Sequence, residues 1–531
     1  MSTEAATGGL GGPAQRLAAG YSVAGQALEL GTVVVDGDAD PSAQIRIPLA
    51  TVNRHGLVAG ATGTGKTKTL QLIAEQLSAA GVAVLMADVK GDLSGLSRAG
   101  EADDKAAARA KDTGDNWTPT AFPVEFLSLG TSGVGVPVRA TISSFGPILL
   151  SKVLALNATQ ESTLGLIFHW ADQRGLPLLD LKDLRTVISH LTSDQGKAEL
   201  KALGAVSPTT AGVILRALVN LEAEGADTFF GEPELRPDDL IRVDSQGRGI
   251  ISLLEFSGQS LRPVLFSTFL MWVLADLFTY LPEVGDLDKP KLVFFFDEAH
   301  LLFTDASKAF LEQVEQTVKL IRSKGVGVFF CTQLPTDLPN TVLSQLGARI
   351  QHALRAFTPD DQKALSKTVR TYPKTDVYDL QSALTSLGIG EAVVTVLSEK
   401  GAPTPVAWTR MRVPRSLMGA IGTDAVAAAA LSSPLQAVYG QTVDRVSAHE
   451  MLSTTYAPAE APPPVQPPRG QYDPLPWPDE IQVPPMPAPV EPKGPGMWEE
   501  ILKNPTVKSA INTGVREITR SIFGTGRRRR K

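Results

Sequence analysis

Apolar positions between residues 55 and 415 fall into short continuous runs separated by helix-length stretches with polar faces. The runs are GLVAG at 56–60, VAVLMAD at 82–88, GIISLLEF at 249–256, KLVFFFDE at 291–298 and GVGVFFCTQ at 325–333. Continuous apolar strands alternating with helices predict a mostly parallel sheet covered on both faces, an α/β architecture. Before these runs, valines and isoleucines from Thr32 to about Ile47 predict one or two short strands. Residues 143–225 are different: they show little strand signal and several amphipathic segments, such as ILLSKVLAL at 148–156 and TLGLIFHWADQ at 163–173. They predict a helical insertion. No internal repeat of fixed period is present.

The two ends of the chain change character. Residues 1–24, rich in Gly and Ala, read as a disordered N-terminal tail leading into a domain at 25–420. Residues 421–456 contain AVAAAAL at 425–431 and predict a helical extension. The segment 457–496 holds 15 of the 38 prolines and predicts an extended linker, because proline cannot join a hydrogen-bond ladder. A basic C-terminal tail at 497–531 ends in RRRRK.

With 531 residues, 43% hydrophobic and 20% charged, the chain has ample material for a core, and wholesale disorder is excluded. No apolar run is read as reaching the roughly 18 residues of a spanning helix. The N-terminus lacks secretory-signal features. The single Cys331 leaves no internal disulfide, and the expected location is cytoplasmic. One cysteine and six histidines without ligand spacing also exclude a zinc ribbon.

The chemistry begins at Gly60-Ala61-Thr62-Gly63-Thr64-Gly65-Lys66-Thr67, which fits GxxxxGK[ST] at every fixed position. It follows an apolar strand and precedes a helical pattern at Leu70, Ile73, Ala74 and Leu77, the context this motif requires. The glycines let backbone N–H groups curl around phosphate oxygens, and the helix N-terminus adds partial positive charge. Lys66 is expected on the β- and γ-phosphates of ATP, and Thr67 on Mg²⁺. A second apolar strand ends in Asp297-Glu298, which places Asp297 at the metal and Glu298 as the base that polarises water. A third ends in Thr332-Gln333, and Gln333 is a candidate for sensing the γ-phosphate. His300, just after the Asp-Glu pair, is a further candidate for coupling.

Five segments in order resemble the HerA-like branch of the HerA–FtsK ATPases, and in particular its bacterial DUF853 members. They are ATVNRHGLVAGATGTGKT at 50–67, ADVKGDLSGL at 87–96, FFFDEAHLLF at 294–303, IRSKGVGVFFCTQLPTDLP at 321–339 and ALRAFTPDDQKAL at 353–365. The resemblance implies a RecA-like P-loop fold, a homo-hexameric ring and ATP hydrolysis coupled to movement on double-stranded DNA. It also implies catalytic roles for Arg54, Arg322 and Arg355 and a metal-side role for Asp88. Which arginine acts on a neighbouring subunit stays open in the sequence. Archaeal HerA proteins carry an N-terminal β-barrel, for which the fewer than 60 residues before the phosphate loop leave little room.

Charge is unevenly placed. The total is −6, yet residues 503–531 carry nine Lys or Arg against Glu517, a local +8 that leaves −14 elsewhere. Such a tail suits nucleic acid or an anionic membrane surface. The resemblance implies a DNA translocase or helicase-like motor first. Two other readings are an ATP-dependent remodeller of protein or envelope complexes, and a nucleotide-gated module recruiting partners through PPPVQPP at 462–468.

Overall fold

The computed structural model describes residues 12–455 except 89–90, 132, 203, 205, 256–262 and 286. The expected Pro-rich linker and basic tail lie outside the described residues. Twelve strands share one sheet: β1 (Ala27–Val35), β2 (Asp38–Pro48), β3 (Gly56–Ala59), β4 (Ala83–Asp88), β5 (Val124–Leu129), β6 (Val136–Val138), β7 (Ile251–Glu255), β8 (Leu292–Phe296), β9 (Val326–Thr332), β10 (Ala348–Gln351), β11 (Glu391–Thr395) and β12 (Ala407–Met411). Their order is β2-β1-β12-β11-β10-β3-β9-β8-β4-β7-β5-β6. From β10 to β6 every pairing is parallel, and from β10 to β2 every pairing is antiparallel. The sheet is thus mostly parallel, as the continuous apolar runs require.

Strand β8 shows how both faces are covered. Leu292, Phe294 and Phe296 enter one core layer, while Val293 and Phe295 enter the other. The first layer is closed by the helices Ile142–Val153, Ala158–Gln173, Leu181–Thr192 and Pro208–Ala223, together with Pro263–Tyr280. The second is closed by the helix that follows the phosphate loop, α2 (Lys66–Ala79), after α1 (Pro13–Ala19) near the start of the chain.

Three expectations are corrected. Residues 13–21 are not a disordered tail. Helix α1 buries Leu17, and the buried Tyr21 hydroxyl donates to the carbonyls of Val394 (2.8 Å) and Pro405. Two anchors four residues apart were enough to fix an otherwise small-residue segment. The short strands expected from Thr32 are a longer hairpin, β1 and β2, joined at Asp36-Gly37, where both residues have positive φ (52° and 90°). Asp-Gly is the pair that such a turn favours, and it was a readable signal. Finally, Pro263–Tyr280 is an 18-residue helix long and apolar enough to cross a membrane. Here it packs in the core, with Phe269, Met271 and Leu274 no more than 1% exposed.

Candidate functional site

The phosphate loop is held from both sides at the C-terminal end of β3. Gly60 N–H donates to the carbonyls of Thr332 (3.3 Å) and Gln333 (3.1 Å) at the end of β9, and Ala61 N–H to Ala353 (2.9 Å) beyond β10. Gly60, Gly63 and Gly65 have φ of +152°, +80° and +115°. At Gly60 a Cβ would lie 2.6 Å from the Cβ of His352, so glycine is required there on space as well as torsion. At Gly63 a Cβ would meet nothing within 4 Å, so there torsion alone favours glycine. Lys66 Nζ folds back to donate to Gly60 O (2.6 Å) and Ala61 O (3.2 Å).

Beneath the loop sits His352, fully buried at the end of β10. Its Nδ1 faces the carbonyl of Glu391 at 2.8 Å, so this nitrogen carries the proton. Its Nε2 therefore accepts from the Thr69 hydroxyl at 2.9 Å. Burial first, and the Lys66 charge after it, push this imidazole down to about 4. One neutral ring thereby ties α2 to β10 and β11. The same helix is fixed on its other side by Glu75, whose buried carboxylate accepts from the backbone N–H groups of Arg415 (2.7 Å) and Ser416 (2.9 Å). Gln71 donates to Ser416 Oγ at 2.7 Å and Leu417 O at 3.0 Å. Sequence reasoning missed all three. Glu75 and Gln71 were visible only as polar residues one turn apart on the helix, beside Lys68 and Ser78.

Strands β9, β8 and β4 follow β3 in the sheet and bring their ends alongside. Asp297 Oδ1 accepts from Glu298 N–H at 2.9 Å. Glu298 has φ +48°, a left-handed conformation that is unfavourable for a non-glycine residue and clusters at functional sites. Its carboxylate faces His300 Nδ1 at 3.4 Å. Cys331, at the end of β9, is buried, and burial followed by the Asp297 charge raises its thiol well above the ordinary range. Asp88 caps its own loop: Oδ1 accepts from Gly91 N–H (2.8 Å) and Oδ2 from Leu93 N–H (3.0 Å). Beside it in register lies Glu255, pushed up to about 7 by burial and then by Asp88.

Thr67 and Asp297 offer oxygen donors, the type Mg²⁺ takes. Among the described residues no group of three or more His, Cys, Asp or Glu is placed to hold a metal alone. An ion held by one or two protein oxygens together with phosphate needs no such group. Bound there, it would neutralise phosphate charge.

The arginines divide. Arg355 is exposed, and with Gln333, Ala61 and Thr62 it lines a cavity of about 290 Å³ beside the phosphate loop. Arg54 and Arg322 instead share a cavity of about 470 Å³ with Lys319, Arg349 and Tyr372. That cavity lies at the other end of the sheet, because Arg54 precedes β3 and Arg322 precedes β9. The seven residues of β9 alone put roughly 23 Å between Arg322 and Gln333. His55, between them at φ +63°, accepts from Val328 N–H at 3.0 Å and is pushed down to about 4, chiefly by burial.

A strand–glycine loop–helix cradle on a mostly parallel sheet, with carboxylates at the next strand ends, defines a P-loop ATPase. The chain belongs to the helicase HerA-like C-terminal family, whose model matches residues 34–530. The "Probable helicase MJECL08" of Methanocaldococcus jannaschii is 34% identical over 116 residues, which cover 21% of this chain and only 20% of that relative. Among solved structures, the plasmid coupling protein TrwB in complex with the non-hydrolysable ATP analogue ADPNP aligns over 77% of this chain and 95% of its own. That pair has 18% identity and a TM-score of 0.50, a likeness of fold. VirB4 of Thermoanaerobacter pseudethanolicus aligns over 74% of this chain and 97% of its own, with 14% identity and a TM-score of 0.43.

Proposed function

We propose that this protein is an ATP-hydrolysing ring motor that moves on double-stranded DNA, with each catalytic site completed by the next subunit. The observation that carries this reading is the separation of Arg54 and Arg322 from the phosphate loop of their own chain. If these arginines stabilise charge on a transferring phosphoryl group, the nucleotide must belong to a neighbour. A homo-hexamer is the assembly the family resemblance suggests.

Within one site, Gly60 to Thr67 cradle the phosphates, and Lys66 exchanges its carbonyl partners for phosphate oxygens. Thr67 and Asp297 hold Mg²⁺. Glu298 leaves His300 to accept a proton from the attacking water. Gln333 and Arg355 face the γ-phosphate from the same chain, while Arg54 and Arg322 approach from the next. Asp88 orders its loop and lends charge to the metal side without being a direct ligand. The basic tail would add salt-dependent attraction for nucleic acid.

The test is turnover with and without duplex DNA at low salt, alongside mass in solution with ATP. Stimulation by DNA together with an oligomer is expected. Unchanged turnover on added DNA and a monomer with ATP would end the translocase reading and leave a slow, nucleotide-gated module in its place.

A further inference from the structure

Lys152 stands in the last turn of the insertion's first helix, Ile142–Val153, and is only 8% exposed. A lysine so covered needs a partner, because an ammonium taken out of water without one is costly. Its Nζ donates to the carbonyl of Thr304 and lies 5.9 Å from the centre of the Phe310 ring. Burial lowers its pKa, and the charge of Asp305 opposes that shift. Both contacts lie outside the insertion, in the stretch of chain that follows Asp297 and Glu298.

The chain from Glu298 to Asp305 is short and internally bonded. Ala299 N–H donates to Cys331 O at 2.9 Å, which ties its start to β9, and Leu301 N–H donates to Glu298 O at 3.0 Å. At its far end Thr304 donates twice to His300 O, from its N–H (3.0 Å) and from its hydroxyl (3.0 Å). His300 is the residue that the Glu298 carboxylate faces. Backbone torsions mark the same place. Of five non-glycine residues with positive φ among the described residues, Ala155, Glu298 and Asp305 fall here, at +52°, +48° and +50°. Ala155 N–H donates to Lys152 O at 3.2 Å, and the peptide group that Lys152 grips is the one whose rotation sets φ at Asp305. Left-handed conformers of such residues persist only where their surroundings hold them.

We infer that Lys152 is a positioning residue for Glu298: by gripping the Thr304 carbonyl it fixes the turn that carries Glu298 and His300, and it couples the helical insertion to that carboxylate. The turn is then pinned at both ends, to β9 through Ala299 and to the insertion through Lys152. Without the second pin the Thr304–Asp305 peptide is free to rotate toward water, since Thr304 is exposed. Glu298 then relaxes out of its left-handed conformation, and its carboxylate leaves the place from which it acts. The inference rests on the reading of Glu298 as the general base and adds an anchor for it in a different part of the fold.

The experiment measures steady-state ATP turnover and melting temperature of the full chain with Mg²⁺ and duplex DNA. The variants are Lys152→Met, Lys152→Arg, Glu298→Gln and the double variant Lys152→Met with Glu298→Gln. Methionine keeps the length and the Phe310 contact but donates nothing, and it removes a buried charge, so the melting temperature is expected to hold or rise. Lys152→Met is expected to lower kcat about ten- to a hundredfold, the cost of a displaced catalytic group, with KM for ATP within about twofold. Lys152→Arg, which still reaches the carbonyl with a donor, is expected to recover most of that loss. In the Glu298→Gln background Lys152→Met is expected to change the residual kcat by less than about twofold, because nothing is left for it to position. A kcat for Lys152→Met equal to wild type overturns the inference. So does a full further loss in the double variant, or a well-folded Lys152→Arg as slow as Lys152→Met. Normal turnover in Glu298→Gln instead removes the base assignment itself, and the role of Lys152 with it.

Discussion

The two ends of the central sheet carry different sets of charged groups. At the C-terminal end of β3, β9 and β8 are a glycine cradle, an amine folded onto its own carbonyls and two adjacent carboxylates. At the N-terminal end are guanidinium groups around a cavity whose described lining contains no acid. The first end can hold a nucleotide and activate water. In the proposed function the second stabilises phosphoryl charge on a neighbour's nucleotide. A parallel sheet forces this division, since a residue before a strand and a residue after it emerge at opposite edges. In the proposed function, one copy's end of the sheet meets the other end of the next copy's sheet.

The largest expected effect probes the second end. Arg322→Ala should lower turnover about 10³- to 10⁵-fold, the worth of an arginine supplied to a phosphoryl-transfer site. Nucleotide affinity of the isolated chain should stay within about threefold, because the bound phosphates lie elsewhere. An equal loss in affinity and turnover would place Arg322 in its own chain's site and dissolve the contrast. At the first end, Glu298→Gln should cut turnover by about 10² to 10⁴-fold, the range for a general base, while ATP stays bound. Normal turnover in this variant would remove Glu298 from that role. Lys66→Ala should act on binding instead, weakening ATP affinity by about 2 kcal/mol, roughly thirtyfold, as measured by titration.

The remaining effect leaves turnover aside: it is on stability and concerns the parts that hold both ends in place. His352 and His55 have native values of about 4 against an ordinary 6.5, both chiefly through burial. The unfolded chain therefore binds more protons than the native one below pH 6.5, so stability falls as pH drops from about 6.5 to 4. Each ring contributes up to roughly 3 kcal/mol to that fall. His352→Asn should flatten the profile in that window and cost about 1 to 3 kcal/mol at neutral pH, because Thr69 and Glu391 lose their partner. Denaturant unfolding at pH 7.5 and 5 would read both quantities. An unchanged pH profile would mean that His352 is not held neutral.

What could be seen in the sequence follows from the same contrast. The phosphate end is written in contiguous stretches, because backbone torsion and strand ends are local properties. Gly60 to Thr67, Asp297 with Glu298, and Gln333 could be read as they stood. The parallel core was equally plain from its apolar runs. Arg54 and Arg322 were visible only as matches to a family pattern, and nothing in the spacing said that they share a cavity. Lys319, Arg349 and Tyr372 join them only through folding. His352 was hidden for a different reason: a lone histidine just past a strand end carries no signature until its partners, Thr69 and Glu391, are known. Helix α1 was overlooked because small residues obscured the anchors Leu17 and Tyr21.

The central claim, that a site is built from opposite ends of two copies, is tested most directly by mixing two inactive chains. Glu298→Gln retains its arginines, and Arg322→Ala retains its phosphate loop and base. Combined in equal amounts and allowed to assemble with ATP, they should form intact sites at one interface in four, and turnover should recover to about a quarter of wild type. No recovery above the sum of the separate chains, with mixed assemblies verified by mass, would contradict the account.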